Sequence, residues 1–522
     1  MLRRSVLLGA ALAGLVFGMP AAAQEKTLKV APLQLARIFD PHFTTSFNTR
    51  DFGYLVFDTL LAVNDKFEPQ PQMVEGWTIS TDQLTYRFTL RPGLKWHDGQ
   101  PVTSADCIAS IRRWGSRDGM GQLMLAVTKD IVAVDDRRFE IVLKEPSALV
   151  LPALAKVGAP VPFMMPERLA KTPGTEQVPE IVGSGPYRFR RDQSSANIRV
   201  VLERNADYVP RSEPPVWASG AKLAKVERIE LIGMPDVQSQ VNALIAGEID
   251  FVEVVPVDLL KLIEGNKEIQ TQVTNRLGFQ SLMRMNHLQP PFSDVRLRRA
   301  VAMAVSQEEY LEAQIGNPKY FRVCAAMFGC DTPLATDAGA PVRDLDKAKA
   351  LIRESGWNLE TPVVLLQITD SPSINPLGPV TAQLLRSLGF KVDMQSMDFQ
   401  TFATRRLNQK PVGQGGWNIA HSNLTGPEVA NPVVSIPLNG TGTGAGWWGW
   451  PKDDEIERLR AAFARETDPA KQKALAEQVQ IRAYDQVFYV PLGQYQTVTA
   501  RRTTISGVLE APATLLYNIE KN

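Results

Sequence analysis

The sequence predicts a mixed α/β protein whose parallel or mixed sheets are covered by helices and divided between two lobes. Strand-like and helical segments alternate through the second half of the chain, without an internal repeat or a low-complexity tract. The chain has 522 residues, 44% of them hydrophobic, which suits two to four domains of roughly 150 residues each. We therefore expect several buried cores and an ordered protein.

The first clear elements lie between residues 84 and 143. Residues 84–90 alternate apolar and polar side chains, as a half-buried strand does, and the Arg-Pro-Gly that follows turns the chain. Ile108, Ile111 and Trp114 predict a helix over residues 105–114, with Cys107 as a small buried hydrophobe. Residues 137–143 predict another strand.

Later segments have the pattern of α/β units. The predicted elements are a strand at 363–368, a helix at 380–388, a strand at 391–397 and a strand at 487–490. Before the last strand, Asp468 is the predicted N-cap of a helix that has Pro469 at its first position and continues to Tyr484.

Residues 1–23 have the pattern of an export signal that is cleaved near Ala23. Arg3 and Arg4 precede a short apolar stretch, and three alanines precede Gln24. The stretch is short for a membrane-spanning helix of roughly 20 residues, although an N-terminal anchor is the alternative. The choice between the general and twin-arginine export routes is open.

The charge balance excludes several classes of partner. Lys and Arg number 57 and Asp and Glu 56, so no excess positive charge favours nucleic acid or an anionic membrane surface. Five residues separate Cys324 from Cys330, which favours a local disulfide in an oxidising compartment. A zinc site would need two further ligands, and none lies nearby in the sequence.

Catalytic motifs are nearly absent. The chain has no Walker loop, no H-E-x-x-H, no G-x-S-x-G and no C-x-x-C motif, and its four histidines are scattered. Gly444, Gly446 and Gly449 match G-x-G-x-x-G but lie in a Trp-rich stretch, which favours a mobile loop over a dinucleotide site. We therefore expect a binding protein without a cofactor or a metal.

Eight segments then carry a family resemblance: residues 55–64, 71–77, 84–106, 182–189 (VGSGPYRF), 203–208, 245–251, 295–305 and 348–357. In this order they resemble the extracellular solute-binding proteins of the ABC peptide/nickel family, family 5, and the dipeptide- and oligopeptide-binding members in particular. The resemblance covers nearly the whole mature chain.

The resemblance implies a periplasmic binding protein-like fold of type II, with a mixed sheet in each lobe and an extra domain enlarging one lobe. Lobe I would comprise residues 24–54, 175–276 and 484–522, the small domain 55–174, and lobe II 277–483. Two crossings between the lobes would suit a hinge. Such a protein is a non-enzymatic periplasmic monomer that closes on a peptide-like solute and delivers it to an ABC permease in the inner membrane.

By the same resemblance, Gly416 and Trp417 match a Gly-Trp pair that precedes an acid binding the ammonium group of a peptide. Counting from Trp417 places Ala420 at the position of that acid, so the acid is predicted to be missing. Asn418 and His421 would face the solute instead. His421 would then accept or donate a hydrogen bond there, or else be a strand histidine bonded to backbone.

Further contacts are implied on both sides of the solute. Arg405 would face a carboxylate of the solute, and Arg406 beside it could take that role instead. The alternative is that both arginines lie on a solvent-exposed helix face. Tyr495 would contact the solute with its aromatic side chain, and Thr45, Ser46 and Phe47 would contact it from the opposite side, in the N-terminal loop. Trp447, beside Trp448, would supply a stacking wall or belong to a packed surface loop.

The cargo is left open at this point. Short peptides or amino-acid conjugates are the default, and the predicted loss of the acid suggests a carboxylate solute without a free amine, such as an opine, an aromatic acid or a sugar-like compound. Nickel or haem is disfavoured by the scattered histidines. A secreted hydrolase is the alternative from another class.

Overall fold

Each lobe is built on one mixed sheet in the computed structural model, which describes residues 26–234, 236–443 and 446–522. The predicted export signal, residues 1–23, lies outside the described residues, as does Gly444 of the Gly/Trp loop.

The chain begins in lobe I with β1 (Thr27–Ala31) and α1 (Phe47–Val56) and then enters the small domain. Its elements are β2 (Asp58–Thr59), β3 (Leu61–Val63), β4 (Pro69–Pro71), β5 (Val74–Ile79), β6 (Thr85–Leu90), α2 (Ser104–Gly115), α3 (Gly119–Val127), β7 (Thr128–Ala133), β8 (Arg138–Leu143), α4 (Val150–Leu154), β9 (Phe163–Met164) and α5 (Glu167–Ala170). Strands β5, β6, β8 and β7 form an antiparallel sheet. The predicted helix around Cys107 is α2, which starts at a capping box between Thr103 and Asp106 and buries Cys107 completely.

The chain then returns to lobe I. This part contains β10 (Tyr187–Phe189), β11 (Arg199–Arg204), β12 (Arg228–Ile232), α6 (Val237–Ala246), β13 (Phe251–Val255) and β14 (Ile269–Gln272). Strand β1 lies between β12 and β13 and is parallel to both. Their carboxyl ends therefore meet at one edge of the sheet, where open α/β sheets place their ligands.

Lobe II follows as a continuous stretch of chain. It contains β15 (Phe279–Met285), α7 (Val295–Ala304), α8 (Gln307–Gln314), β16 (Phe321–Arg322), α9 (Leu345–Ser355), β17 (Val363–Ile368), α10 (Leu377–Ser387), β18 (Val392–Met397), α11 (Phe399–Arg405), β19 (Ile419–Thr425), α12 (Gly426–Val429), α13 (Asp454–Arg465), α14 (Pro469–Gln486) and β20 (Val490–Tyr495). The strand order is β16-β20-β15-β19-β17-β18, and β17 is parallel to β18 and β19.

The chain ends in lobe I, where β21 (Val498–Arg502) pairs with β13 and β14, and β22 (Ile505–Ser506) pairs with β23 (Glu520–Lys521). Strand β20 pairs with β15 of lobe II, so the second crossing between the lobes lies between Tyr495 and Val498. This is later in the chain than the predicted boundary at residue 484. The first crossing lies between Gln272 and Phe279.

Most predicted elements of lobe II are present. Strand β17 has the predicted bounds, and α14 begins at Pro469 with Asp468 accepting hydrogen bonds from the backbone of residues 470 and 471. The predicted strand start at Val487 is wrong, because Val487 has a left-handed backbone (φ 51°) that ends α14 and donates to the carbonyls of Ala483 and Tyr484. The strand begins only at Val490.

Candidate functional site

The two lobes meet at the carboxyl edge of the lobe II sheet. In the register of β15 and β19, Phe279 lies opposite Thr425, so the start of β15 and the end of β19 share this edge. The start of α1 in lobe I approaches the same edge, since the ring of Phe47 lies 6.3 Å from that of Phe279. Ligands of α/β sheets bind outside such an edge.

Three aromatic rings connect the lobes here, and we call Phe47, Phe279 and Tyr495 the aromatic bridge. Phe279 stacks on Tyr495 with centroids 5.3 Å apart and planes 17° from parallel. Phe279 and Tyr495 are also paired across β15 and β20, which fixes their positions. The bridge therefore presents apolar faces from both lobes to the space between them.

Polar groups surround the lobe II end of the bridge. Asn423 Nδ2 donates to Tyr495 Oη at 2.7 Å and to Ser373 Oγ at 3.1 Å. Burial raises the pKa of Tyr495 to about 12, so the phenol is neutral at physiological pH. Hydroxyl and amide groups of this kind orient a small solute in a mostly apolar site.

An acid lies at the end of β19. Thr425 and Glu428 form a capping box at the start of α12, in which Glu428 Oε2 accepts from Thr425 N and Oγ1, both at 2.8 Å. Glu428 makes no ion pair with any residue in the described part of the chain. Gly158 of the small domain lies next to Glu428. A Cβ added at Gly158 would lie 3.3 Å from Glu428 Cγ. The half-buried carboxylate of Glu428 thus lies where lobe II meets the small domain.

Lobe I contributes a buried ion pair at the same boundary. Arg50 Nε donates to Asp51 Oδ1 at 2.8 Å, and the Arg50 guanidinium lies 5.2 Å from the centre of the Phe47 ring. Burial raises the pKa of Asp51 to about 6, partly offset by Arg50. Asp51 also lines a small pocket with Glu253 and Thr514 at the carboxyl ends of β1 and β13. Its cavity volume of about 20 Å³ holds about one water molecule, so this pocket by itself is too small for a solute.

Phe47 and Tyr495, predicted on opposite sides of the solute, are brought together by the aromatic bridge. Thr45 is exposed just before α1, and Ser46 is half-buried at its N-cap position. Both therefore lie in the loop that leads to Phe47. Contact of these residues with a solute stays a prediction.

Trp417, Asn418 and His421 lie inside lobe II. Trp417 is fully buried and its Nε1 donates to the carbonyl of Arg406 at 3.0 Å. The Asn418 side chain bonds the backbone of Val364 and Pro290. The His421 ring is 2% exposed and lies 2.7 Å from Thr381 Oγ1. In this conformation the three side chains are held by the protein itself, and solute contact by them stays a prediction.

Arg405 and Arg406 are also engaged within lobe II. Arg405 Nη2 donates to Gln395 Oε1 at 3.0 Å and to the Gly416 carbonyl at 3.2 Å. The guanidinium of Arg406 lies 5.6 Å from the ring of Trp448, and burial lowers the pKa of Arg406. Trp447, half-buried, packs on Trp448 with centroids 4.3 Å apart. These residues form an Arg/Trp group on the lobe II core.

The structure changes the interpretation of the acid that was predicted to be missing. Position 420 lies near the start of β19, opposite Arg284, and Ala420 is fully buried. Glu428 lies in α12, three residues after the end of β19 that approaches lobe I, so the interlobe surface has an acid at a different position. Sequence reasoning also missed Arg50, Phe279 and Asn423. The T-x-x-E pattern of a capping box at residues 425–428 was the one local signal for the acid.

The predicted disulfide between Cys324 and Cys330 is present. It closes a loop whose Cys330 N donates to Gln494 Oε1 at 3.0 Å, next to Tyr495. The loop therefore supports β20 at the lobe II end of the aromatic bridge.

Comparison with known proteins decides the family. Residues 68–446 match the model of bacterial extracellular solute-binding proteins, family 5. The chain belongs to this family. A probable peptide ABC transporter periplasmic-binding protein of Sinorhizobium fredii is 39% identical over 521 residues, which is 98% of this chain and 97% of the relative.

More distant relatives agree with the assignment of this family 5 protein. The dipeptide-binding protein DppE of Bacillus subtilis is 24% identical, with 94% of this chain and 90% of the relative covered. Among solved structures, MoaA of Agrobacterium in complex with mannopinic acid has a TM-score of 0.79 at 20% identity and covers 96% of this chain and 100% of its own. DppA of Helicobacter pylori in complex with the peptide STSA has a TM-score of 0.77 at 19% identity, covering 95% and 98%. Both share the fold.

The family 5 protein is therefore the solute-binding component of an ABC importer. Within the described residues, no helix combines the length and the apolar character that crossing a membrane requires.

Proposed function

We propose that this protein is a monomeric periplasmic receptor that closes its two lobes on a short peptide or peptide-like solute and delivers it to an ABC permease. The observation that carries the proposal is the aromatic bridge between the lobes, with Glu428 beside it. Aromatic faces pack against apolar side chains and planar amides. An acid without an ion-pair partner favours the ammonium group of a peptide. The names of the relatives from Sinorhizobium and Bacillus support a peptide cargo.

The mechanism needs only that the solute contact both lobes in the closed state. A ligand shifts an open–closed equilibrium by no more than its difference in affinity for the two states. Contacts to Phe47 from lobe I and to Phe279, Tyr495 and Glu428 from lobe II exist together only when the lobes approach. Closure also removes water and strengthens the polar contacts. The two crossings, residues 272–279 and 495–498, are the hinge.

The experiment is a binding screen on the exported, mature protein, whose N-terminus is expected at Gln24. Native mass spectrometry identifies any solute that copurifies, and thermal shifts are measured with di- to tetrapeptides, their N-acetylated forms, opines and aromatic acids. A bound peptide at a hundredfold excess over its Kd should stabilise the protein by about 2.7 kcal/mol.

Three outcomes contradict the proposal. Absence of both a copurifying solute and a saturable shift would remove the receptor function. If N-acetylated peptides stabilise the protein as strongly as free peptides do, Glu428 does not bind an ammonium group of the solute. Turnover of any bound peptide, abolished by Phe279→Ala, would replace the receptor by a hydrolase.

A further inference from the structure

We propose that Arg50 of lobe I is a specificity-determining residue that binds an oxyanion of the solute, a carboxylate in a peptide-like molecule. The inference rests on the proposed function, since Arg50 lies in the same interlobe site. It assigns the carboxylate to lobe I and to a residue other than the predicted Arg405.

The hydrogen bonds of the Arg50 side chain are incomplete. The Arg50 side chain is 6% exposed, and its Nε donates to Asp51 Oδ1. Neither Nη1 nor Nη2 has a hydrogen-bond partner among the residues the structure describes. These two nitrogens are not fully enclosed by the protein, and the outer edge of a guanidinium presents two parallel donors that match a carboxylate. The protein's own contacts leave that edge unused.

Arg50 lies on the side of lobe I that faces the aromatic bridge. Its guanidinium packs over Phe47, the lobe I member of the aromatic bridge. Burial acts to lower the pKa of Arg50, but Asp51 beside it, and more weakly Glu428 across the lobe boundary, raise it overall. Arg50 is therefore charged, and Glu428 is close enough to influence it electrostatically. No ion pair joins the two residues in the described part of the chain. The charges of Arg50 from lobe I and Glu428 from lobe II would complement a solute that carries both a carboxylate and an ammonium group.

The other candidate arginines lie within lobe II and away from the aromatic bridge, although Arg284 Nη2, Arg405 Nε and Arg406 Nε have no hydrogen-bond partner among the described residues. Arg405 bonds Gln395 and the Gly416 carbonyl, and Arg406 stacks on Trp448. Arg284 is fully buried and donates to three backbone carbonyls. Arg50 is the one of these four that lies against the aromatic bridge.

The test compares acid and amide forms of one solute. Isothermal titration is carried out with the tightest peptide of the screen and with the same peptide carrying a C-terminal carboxamide; for an opine, the corresponding amide is used. Each is measured on the wild type, Arg50→Gln and Arg298→Gln. Arg298 is the matched control because it is equally buried, 6% exposed, and bonds only backbone carbonyls of lobe II.

The wild type should bind the acid at least a hundredfold more tightly than the amide. Arg50→Gln should lose that difference by weakening the acid alone, and Arg298→Gln should retain it. If Arg50→Gln does not fold, Arg50→Gln/Asp51→Asn replaces it, because removing both charges leaves no unpaired carboxylate. Equal wild-type affinity for acid and amide overturns the inference while the receptor function stands, as does an undiminished preference for the acid in the Arg50 variant. A wild type that binds no solute overturns the proposed function itself.

Discussion

Replacing His421 with glutamine should make the stability of the protein less sensitive to acid. His421 is buried between β19 and α10, and its Nε2 lies 2.7 Å from Thr381 Oγ1, which in turn lies 2.7 Å from Tyr310 Oη. Burial lowers the pKa of His421 from 6.5 to about 3. The folded protein thus keeps the ring neutral at a pH where the unfolded chain protonates it.

This difference in the pKa of His421 between the folded and unfolded states sets the sign and the size of the pH effect on stability. Because the folded pKa is depressed, the contribution of His421 to stability is complete above pH 6.5 and is lost as the pH falls towards 3. Between pH 7.5 and 5.0 the loss amounts to about 2 kcal/mol for this one residue. Burial also lowers the pKa of His42 to about 3 and of His97 to about 4, so the wild type should show a larger total loss.

The assay is urea denaturation at pH 7.5 and pH 5.0. His421→Gln should lose about 2 kcal/mol less unfolding free energy between the two pH values than the wild type does. Tyr310→Phe is the matched control, since it shortens the same hydrogen-bonded chain but keeps the histidine, and it should retain the full loss. If the wild type and His421→Gln have the same pH dependence, His421 is not a buried neutral residue, and a charged His421 that contacts a solute becomes the better interpretation.

Three further results are expected. Cys324→Ser/Cys330→Ser should lower the unfolding free energy by about 2 kcal/mol, the loop-closure value for this short ring; a denaturation midpoint unchanged from the wild type would contradict it. Gly278→Ala, in the first crossing, should destabilise by more than about 1 kcal/mol, because φ is +60° and the new Cβ would lie 2.1 Å from the Tyr495 carbonyl oxygen; wild-type stability would show that the crossing adapts. Phe279→Ala should weaken solute binding about tenfold in a titration, and an unchanged Kd would exclude the aromatic bridge from the site.

The sequence predicted the bounds of helices and strands correctly where the preference of a segment agrees with its burial in the folded protein. Strand β17 could be placed because all its residues are buried and most are apolar, and the start of α14 because Asp468 and Pro469 are a typical N-terminal pair. Helix α10 begins at Leu377, earlier than predicted, because proline is tolerated in a first helical turn. Val487 could not be anticipated, since a β-branched residue rarely adopts the left-handed backbone that buried Val487 has at the C-cap of α14.

The site was less predictable because it depends on register and on contacts between the lobes. The match of Gly416 and Trp417 to a Gly-Trp pair drew attention to the start of β19, whereas the pairing of Phe279 with Thr425 brings the opposite end of that strand to lobe I. Arg50 is an ordinary helical arginine in the sequence. Its unused nitrogens become visible only when α1 is packed against the rest of the chain.

The proposed position of the solute is between the lobes, at the aromatic bridge. Hydrogen–deuterium exchange, measured with and without a solute that stabilises the protein, tests it most directly. Protection from exchange should increase together in α1, at the start of β15 and in residues 423–428, and hence in both lobes. Protection confined to one lobe, or centred on the lobe I groove formed by residues 204–210 and 222–225, would contradict it.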